Sequence, residues 1–526
     1  MTLAEATSAA NENRQKGEVS RLRAILQKYL SFPVLLGTVL VGETFVTVRS
    51  LRLDPDTWWH MKYGESILQG HWPAFDTWSF TAHGTPGIAY EWGGDVITTL
   101  AYRMGGLRGL DVLLIVLTSI VTLLIYYFAC MRCRNSKGAF ITTAVLLPIA
   151  SMCFTLRPQL LGYIFLVITL VCLERFRQGY RNALWILPPV FLLWVNMHGS
   201  FVLGFMAMGL YWICGLAEFS WGSIHTERWT LGDRIRLELA ALFCLVMLPI
   251  TPYGTRLAAV PIEYAFFLPG NMAHIQEWQP LNFNFWEAKL LLVLLLAFIV
   301  AQTAFHIRYR LEELALFLLI TYLTFAHFRF AIVYTIFFAP LGALILSRWM
   351  PAYDPKIDKY AINAVLIFAA LAALVWYIPS NATLKENISR MFPVKAVRYL
   401  QLHPVPRRMF NEYFFGGYLV WKMAPEHRVF IDGRGNVYEQ AGVFSAYMEV
   451  TNLQPDAMAV LQTYRVDSCL IYQKSALATL LASSPGWKEI YRDGLSVIFV
   501  REAAMRLSPP GSSSTKEGPE RNPGKT

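Results

Sequence analysis

Charge is scarce in this chain: only 16% of its 526 residues are Asp, Glu, Lys or Arg, against 55% hydrophobic residues. A water-soluble globular fold has too little polar material there to cover its apolar surface, so that class is excluded. Cysteine is also sparse. Six of the seven (Cys130, Cys133, Cys153, Cys172, Cys214 and Cys244, but not Cys469) lie in or beside apolar runs, so no disulfide framework is implied. Cys130 and Cys133 form a C-x-x-C, but no second pair completes a zinc site. The apolar runs lack the polar–apolar alternation of a membrane barrel. No small-residue cleavage site follows the first of them, so the first span is expected to be an uncleaved anchor. No internal repeat is visible, which weighs against a transporter built from inverted halves.

What the sequence does have is a series of apolar runs about 15 to 20 residues long, the length a helix needs to cross a hydrocarbon core of roughly 30 Å. They lie near 29–48, 110–128, 139–155, 158–173, 183–195, 201–217, 237–250, 289–305, 311–325, 330–346 and 360–378. The expected fold is therefore mostly α: a polytopic transmembrane helical bundle with about eleven crossings. Arg14, Lys16, Arg21, Arg23 and Lys28 precede the first run and place residues 1–28 in the cytoplasm. Arg132/Arg134/Lys137, Arg175/Arg177/Arg181, Arg228/Arg234/Arg236, His306/Arg308/Arg310 and Arg348/Lys356/Lys359 then fall on every second connection. The formal net charge of +10 is thereby assigned to topology and lipid headgroups rather than to nucleic acid. An odd number of crossings puts the carboxyl terminus outside.

Three segments are too polar to span. Within the expected transmembrane domain 29–378, an external loop at 49–109 carries Asp54, Asp56, His60, Glu65, Asp76, His83, Glu91 and Asp95 interleaved with tryptophans. A second loop, 251–288, carries Glu263, His274, Glu277, Trp278 and Glu287. The third segment, 379–505, has short apolar stretches at Val429–Ile431, Cys469–Tyr472 and Ser496–Val500 between helical patterns. It reads as a small extracytoplasmic α/β domain. The Ser, Pro, Gly and Lys content of 506–526 predicts a disordered tail.

The chemistry-bearing residues collect on the outer side. In Leu53-Asp54-Pro55-Asp56-Thr57-Trp58-Trp59-His60, two acids leave the first span together. Such a pair can take a proton from an acceptor hydroxyl or hold a divalent ion, Mg or Mn, that bridges a phosphate. It can equally cap a following helix, with the tryptophans anchoring it at the interface. Arg157, Asn196, His198, His327 and Arg329 sit at outer span ends. Arginines there are candidates for gripping a lipid phosphate, the alternative being snorkelling to headgroups. Glu91 and Asp95 share one helical face, as a site or as helix-dipole partners. Glu277-Trp278 offers a loop contact for a sugar.

The segment Asp54-Pro55-Asp56-Thr57-Trp58-Trp59-His60 is similar to the first-loop acidic motif of oligosaccharyltransferase catalytic subunits, closest to archaeal and bacterial members. The architecture as a whole resembles the GT-C glycosyltransferase superfamily. Tyr413-Phe414-Phe415-Gly416-Gly417-Tyr418, followed by Val429-Phe430-Ile431-Asp432-Gly433-Arg434, resembles that family's Trp-Trp-Asp-Tyr-Gly signature and nearby Asp-Gly. The signature acid falls at Phe415, which argues against protein N-glycosylation. The resemblance implies sugar transfer from a polyprenyl-phosphate-linked donor, with Asp54 and Asp56 as base or metal ligands. From charge and side, Arg157, Arg329 and Arg434 are expected to hold the lipid phosphate, with His60, Glu91, His198, Glu277 and His327 as further substrate contacts. A lipid or anionic-solute transporter, and a non-catalytic assembly subunit with membrane-protein partners, remain open alternatives.

Overall fold

The computed structural model describes residues 24–48, 53–266, 275–305 and 307–507. Most of the amino-terminal segment, His274, His306 and nearly all of the expected tail lie outside the described residues. Two compact units emerge. The first comprises residues up to 74 together with 86–388, and the second comprises 75–85 together with 389 onward.

The first unit is a bundle of apolar helices. Among the described residues, Trp92–Cys133, Gln159–Arg177, Trp286–Phe305 and Phe328–Leu346 are long and apolar enough to cross a membrane, and the bent pair Tyr360–Trp376 with Asn381–Met391 makes a fifth candidate. Large apolar side chains such as Leu296, Val300, Val365 and Phe368 point outward from these helices. Water tolerates no such surface at this scale, and lipid does; the chain is an integral membrane protein. The expected eleven crossings are not matched by helix length. Phe32–Val48, Ser136–Ser151 and Phe201–Cys214 are apolar but shorter. The run near 183–195 becomes a 3-10 turn and the 11-residue helix Leu187–Met197, about 16 Å long, with proline in its first turn.

Close helix approach follows from small residues. A Cβ on Gly342 would stand 2.7 Å from the Thr142 side chain, and one on Gly138 would stand 3.1 Å from the Ala343 carbonyl, so Ser136–Ser151 and Ala331–Leu346 pack backbone to backbone. The 42-residue helix Trp92–Cys133 is broken at Gly106 (φ 60°, ψ −138°), a conformation that glycine adopts at least cost. Its first part was expected as external loop, and its second part is the apolar span.

At the other end of the bundle, the basic clusters expected in the cytoplasm meet acids. Arg132 pairs with Glu313, Arg310 with Glu174 at 2.6 Å, and Arg177 with Glu312 at 2.8 Å while lying over the Trp229 ring.

The second unit is α/β. Its four-stranded sheet runs in the order Met409–Asn411, Ser468–Tyr472, Ser496–Arg501, Trp487–Arg492, the first pair parallel and the others antiparallel. Phe410, Cys469 and Phe499 stand side by side across the ladder and are buried. Helices including Tyr413–Met423 and Val443–Thr451 cover the sheet. Val429–Ile431, expected as a strand, instead receives residues 75–85 of the first loop. Val429 N–H donates to the Trp78 carbonyl, Phe80 N–H donates to the Val429 carbonyl, and Ser79 forms a parallel bridge with Val429.

Candidate functional site

Three helix starts pack together in the first unit. Proline at position 55 and the Asp54 side chain, which accepts the Asp56 N–H at 2.9 Å, begin the helix Asp56–Leu68. Thr57 Oγ1 donates to the Leu156 carbonyl at 2.8 Å, tying this turn to the residue before Arg157. Pro158 caps the start of Gln159–Arg177, and a Cβ on Gly94, in the first turn of Trp92–Cys133, would fall 2.5 Å from Pro158. The N-cap position itself is Pro55, with no side-chain cap, and the Asp54 bond to the Asp56 N–H holds the turn that delivers both acids to one arginine.

Arg157 is the centre. Its Nη2 lies 2.6 Å from Asp54 Oδ1 and 2.8 Å from Asp56 Oδ2, and its Nη1 donates to Glu277. Asp56 Oδ1 also accepts the Trp59 indole N–H at 2.9 Å. One guanidinium cannot compensate three carboxylates. Burial pushes Asp54 upward and Asp56 up to about 7, although Arg157 opposes both shifts. Burial also acts on Glu277, but there Arg157 and Arg329 outweigh it and hold the carboxyl below its ordinary range.

A second chain of groups adjoins this centre. His198 Nδ1 accepts the Ser200 N–H at 3.0 Å, so in the neutral ring the proton sits on Nε2, which faces Glu91 Oε1 at 3.2 Å. Burial lowers His198 to about 3 and His60 well below its usual value, so both rings are neutral. His60 Nδ1 meets Asp95 Oδ1 at 2.6 Å, and its Nε2 stands 3.5 Å from Glu91 Oε2. Burial raises Glu91 to about 8, with Arg157 opposing. At neutral pH Glu91 therefore carries a proton, and its Oε2 lies beside the His60 ring.

Arg329 and His327 join through Trp278. The Arg329 guanidinium lies over the Trp278 ring at 4.2 Å, and His327 Nδ1 donates to the Trp278 carbonyl at 2.6 Å. Among the described residues, no carboxylate pairs with Arg329. The structure thus brings Asp54, Asp56, His60, Glu91, Arg157, His198, Glu277, His327 and Arg329 to one region of the first unit.

Arg434 belongs to the second unit. It is buried between Asp76 at 2.7 Å and Asp432 at 2.6 Å, with Tyr438 donating to Asp432 and the Trp78 ring beneath. Phe415 is fully buried against Tyr472, and a Cβ on Gly416 would stand 2.1 Å from the Ile431 carbonyl. The segment that resembles the family signature therefore packs as core here.

No protein-family model matches the sequence, and no curated protein is similar to it by sequence. Solved structures do match in fold. The archaeal oligosaccharyltransferase AglB from Archaeoglobus fulgidus, in complex with an inhibitory peptide and a dolichol-phosphate, has a TM-score of 0.50 at 11% identity, covering 90% of this chain and 74% of that one. In fold, the chain resembles the GT-C glycosyltransferases. Arabinofuranosyltransferase AftD from Mycobacteria gives 0.49 at 13% identity, over 89% of this chain and 41% of its own length.

A divalent ion at Asp54 and Asp56 meets a difficulty at this site. Three of the four carboxylate oxygens already accept from Arg157, the Asp56 N–H or the Trp59 indole. Among the described residues, no group of three or more His, Cys, Asp or Glu side chains is arranged to hold a metal. Sequence reasoning missed Asp95 as the His60 partner, though its one-turn spacing from Glu91 was visible. It also missed Asp76 and Asp432 as partners of Arg434, which no local spacing announces.

Proposed function

We propose that this chain transfers a sugar from a polyprenyl-phosphate-linked donor to an acceptor hydroxyl at the extracytoplasmic face of the membrane, with the amino terminus in the cytoplasm. The observation that carries the reading is the cluster of Asp54, Asp56 and Glu277 around Arg157, with Arg329 beside it on Trp278. A displacement with inversion needs a base for the acceptor and a cation for the leaving group, and both are within this cluster.

In the step envisaged, the acceptor oxygen bonds to the anomeric carbon as its proton passes to the Asp56 carboxylate. The bond from that carbon to the phosphate oxygen breaks, and its electron pair leaves with the lipid phosphate, whose charge Arg329 meets. Arg329 suits this role because its guanidinium lies over an aromatic face and, among the described residues, has no carboxylate partner. Trp278 and Glu277 offer a ring and a carboxylate to the sugar.

A transporter would place its ionisable groups near mid-span. Here the cluster sits where helices begin, which favours the enzyme. Asp56→Asn should abolish sugar transfer in isolated membranes while the protein is still made and inserted. Normal turnover by that variant would refute the reading.

A further inference from the structure

We propose that Arg157 is the resident cation of the Asp54, Asp56 and Glu277 cluster, standing where a divalent metal would otherwise bridge these acids. Three carboxylates that meet in one place require a positive charge at their centre, because their mutual repulsion in a partly dehydrated site is severe. A divalent ion and a guanidinium can each supply it. Here the guanidinium reaches all three acids at once, through Nη2 to Asp54 and Asp56 and through Nη1 to Glu277.

The backbone on both sides of Arg157 is held in place. The residue is followed by Pro158, which starts the next helix, and Leu156 is tied by its carbonyl to Thr57. Its Nε is buried and makes no hydrogen bond, so the side chain is aimed by its planar fork alone. Arginine stays charged at any pH the protein meets, whereas a bound ion would exchange. The positive charge in this cluster is therefore covalently built in. The side chains that would ligate a metal instead orient the guanidinium, and with it the electrostatic field across the site.

The test uses the purified full-length chain in lipid nanodiscs and Mn²⁺ alone, followed by the loss of the free-ion signal in electron paramagnetic resonance. Wild-type protein should leave the Mn²⁺ signal unchanged or bind only in a way that Asp54→Asn and Asp56→Asn do not alter. Arg157→Gln, by vacating the centre, should gain one Mn²⁺ per chain, and adding Asp56→Asn should weaken that binding by more than about tenfold. Wild-type binding that Asp54→Asn or Asp56→Asn abolishes would overturn the proposal. So would a folded Arg157→Gln protein that binds no Mn²⁺, since the acids would then not form a cation site. Should Arg157→Gln fail to fold, as judged by size-exclusion profile, the comparison of wild type with Asp54→Asn and Asp56→Asn decides alone. Neither donor nor acceptor is needed, so this result and the sugar-transfer result can fail independently.

Discussion

Two carboxyl groups compete for the role of base, and their surroundings separate them. Glu91, at about 8, is protonated at neutral pH and is held between two neutral imidazoles, so it has no vacancy for the acceptor proton. Asp56, at about 7, is divided between its two forms near neutrality, where a general base works best. The reactive form is the carboxylate. Sugar transfer should therefore rise with pH through about 7 and fall about tenfold per unit below it. The Trp59 indole donates to Asp56 and so favours its ionised form. Trp59→Phe removes that bond and should move the midpoint upward by about one unit, with little change in the plateau rate. A pH profile of transfer in membranes checks this, and an unmoved or lowered midpoint would take the base role away from Asp56.

The helix that carries these acids is positioned by the absence of a side chain. A Cβ on Gly64 would stand 2.3 Å from the Asp95 carbonyl and 2.2 Å from Thr99 Oγ1, so Asp56–Leu68 lies directly on the backbone of Trp92–Cys133. Gly64→Ala should force the two helices apart, costing about 1–3 kcal/mol and lowering sugar transfer together with the thermal unfolding temperature. Gly42→Ala, where a Cβ meets nothing within 4 Å, should be neutral or slightly stabilising. Equal effects from the two variants would contradict the packing account. Much at this scale was readable in advance. Apolar length marked the helices, and the acids flanking Pro55 marked the start of the site helix. What the sequence hid was the start of the long helix at Trp92, because Gly105 and Gly106 resemble a loop and only the backbone shows that helix continues on both sides. Arg157, Glu277 and Arg329 were legible as candidates by side and charge. Their convergence was not, since 120 residues separate the Arg157–Glu277 pair and no local pattern encodes such a contact.

At the scale of the whole molecule, the first long loop contributes to both units. Residues up to 74 and from 86 onward belong to the bundle, while 75–85 are built into the second unit through Val429, Phe430 and Arg434. Arg434 was a phosphate-binding candidate on charge and side, and its surroundings supply it with two carboxylate partners. Its guanidinium neutralises Asp76 from the loop segment and Asp432 from the carboxyl-terminal part of the chain, both fully buried. Removing it leaves two carboxylates facing each other without water, a change that typically costs about 3–5 kcal/mol. Arg434→Met should therefore lower the unfolding temperature and speed hydrogen exchange at the Phe80 and Val429 amides. The first of these donates from the 75–85 segment to the Val429 carbonyl, and the second donates back to the Trp78 carbonyl. Exchange at the Lys488–Val500 strand pairing, at the opposite edge of the four-stranded sheet from Met409–Asn411, should change less. If Arg434→Met instead left exchange untouched and weakened only donor use, Arg434 would be a substrate contact, and its ion pairs would be the resting state of a binding side chain.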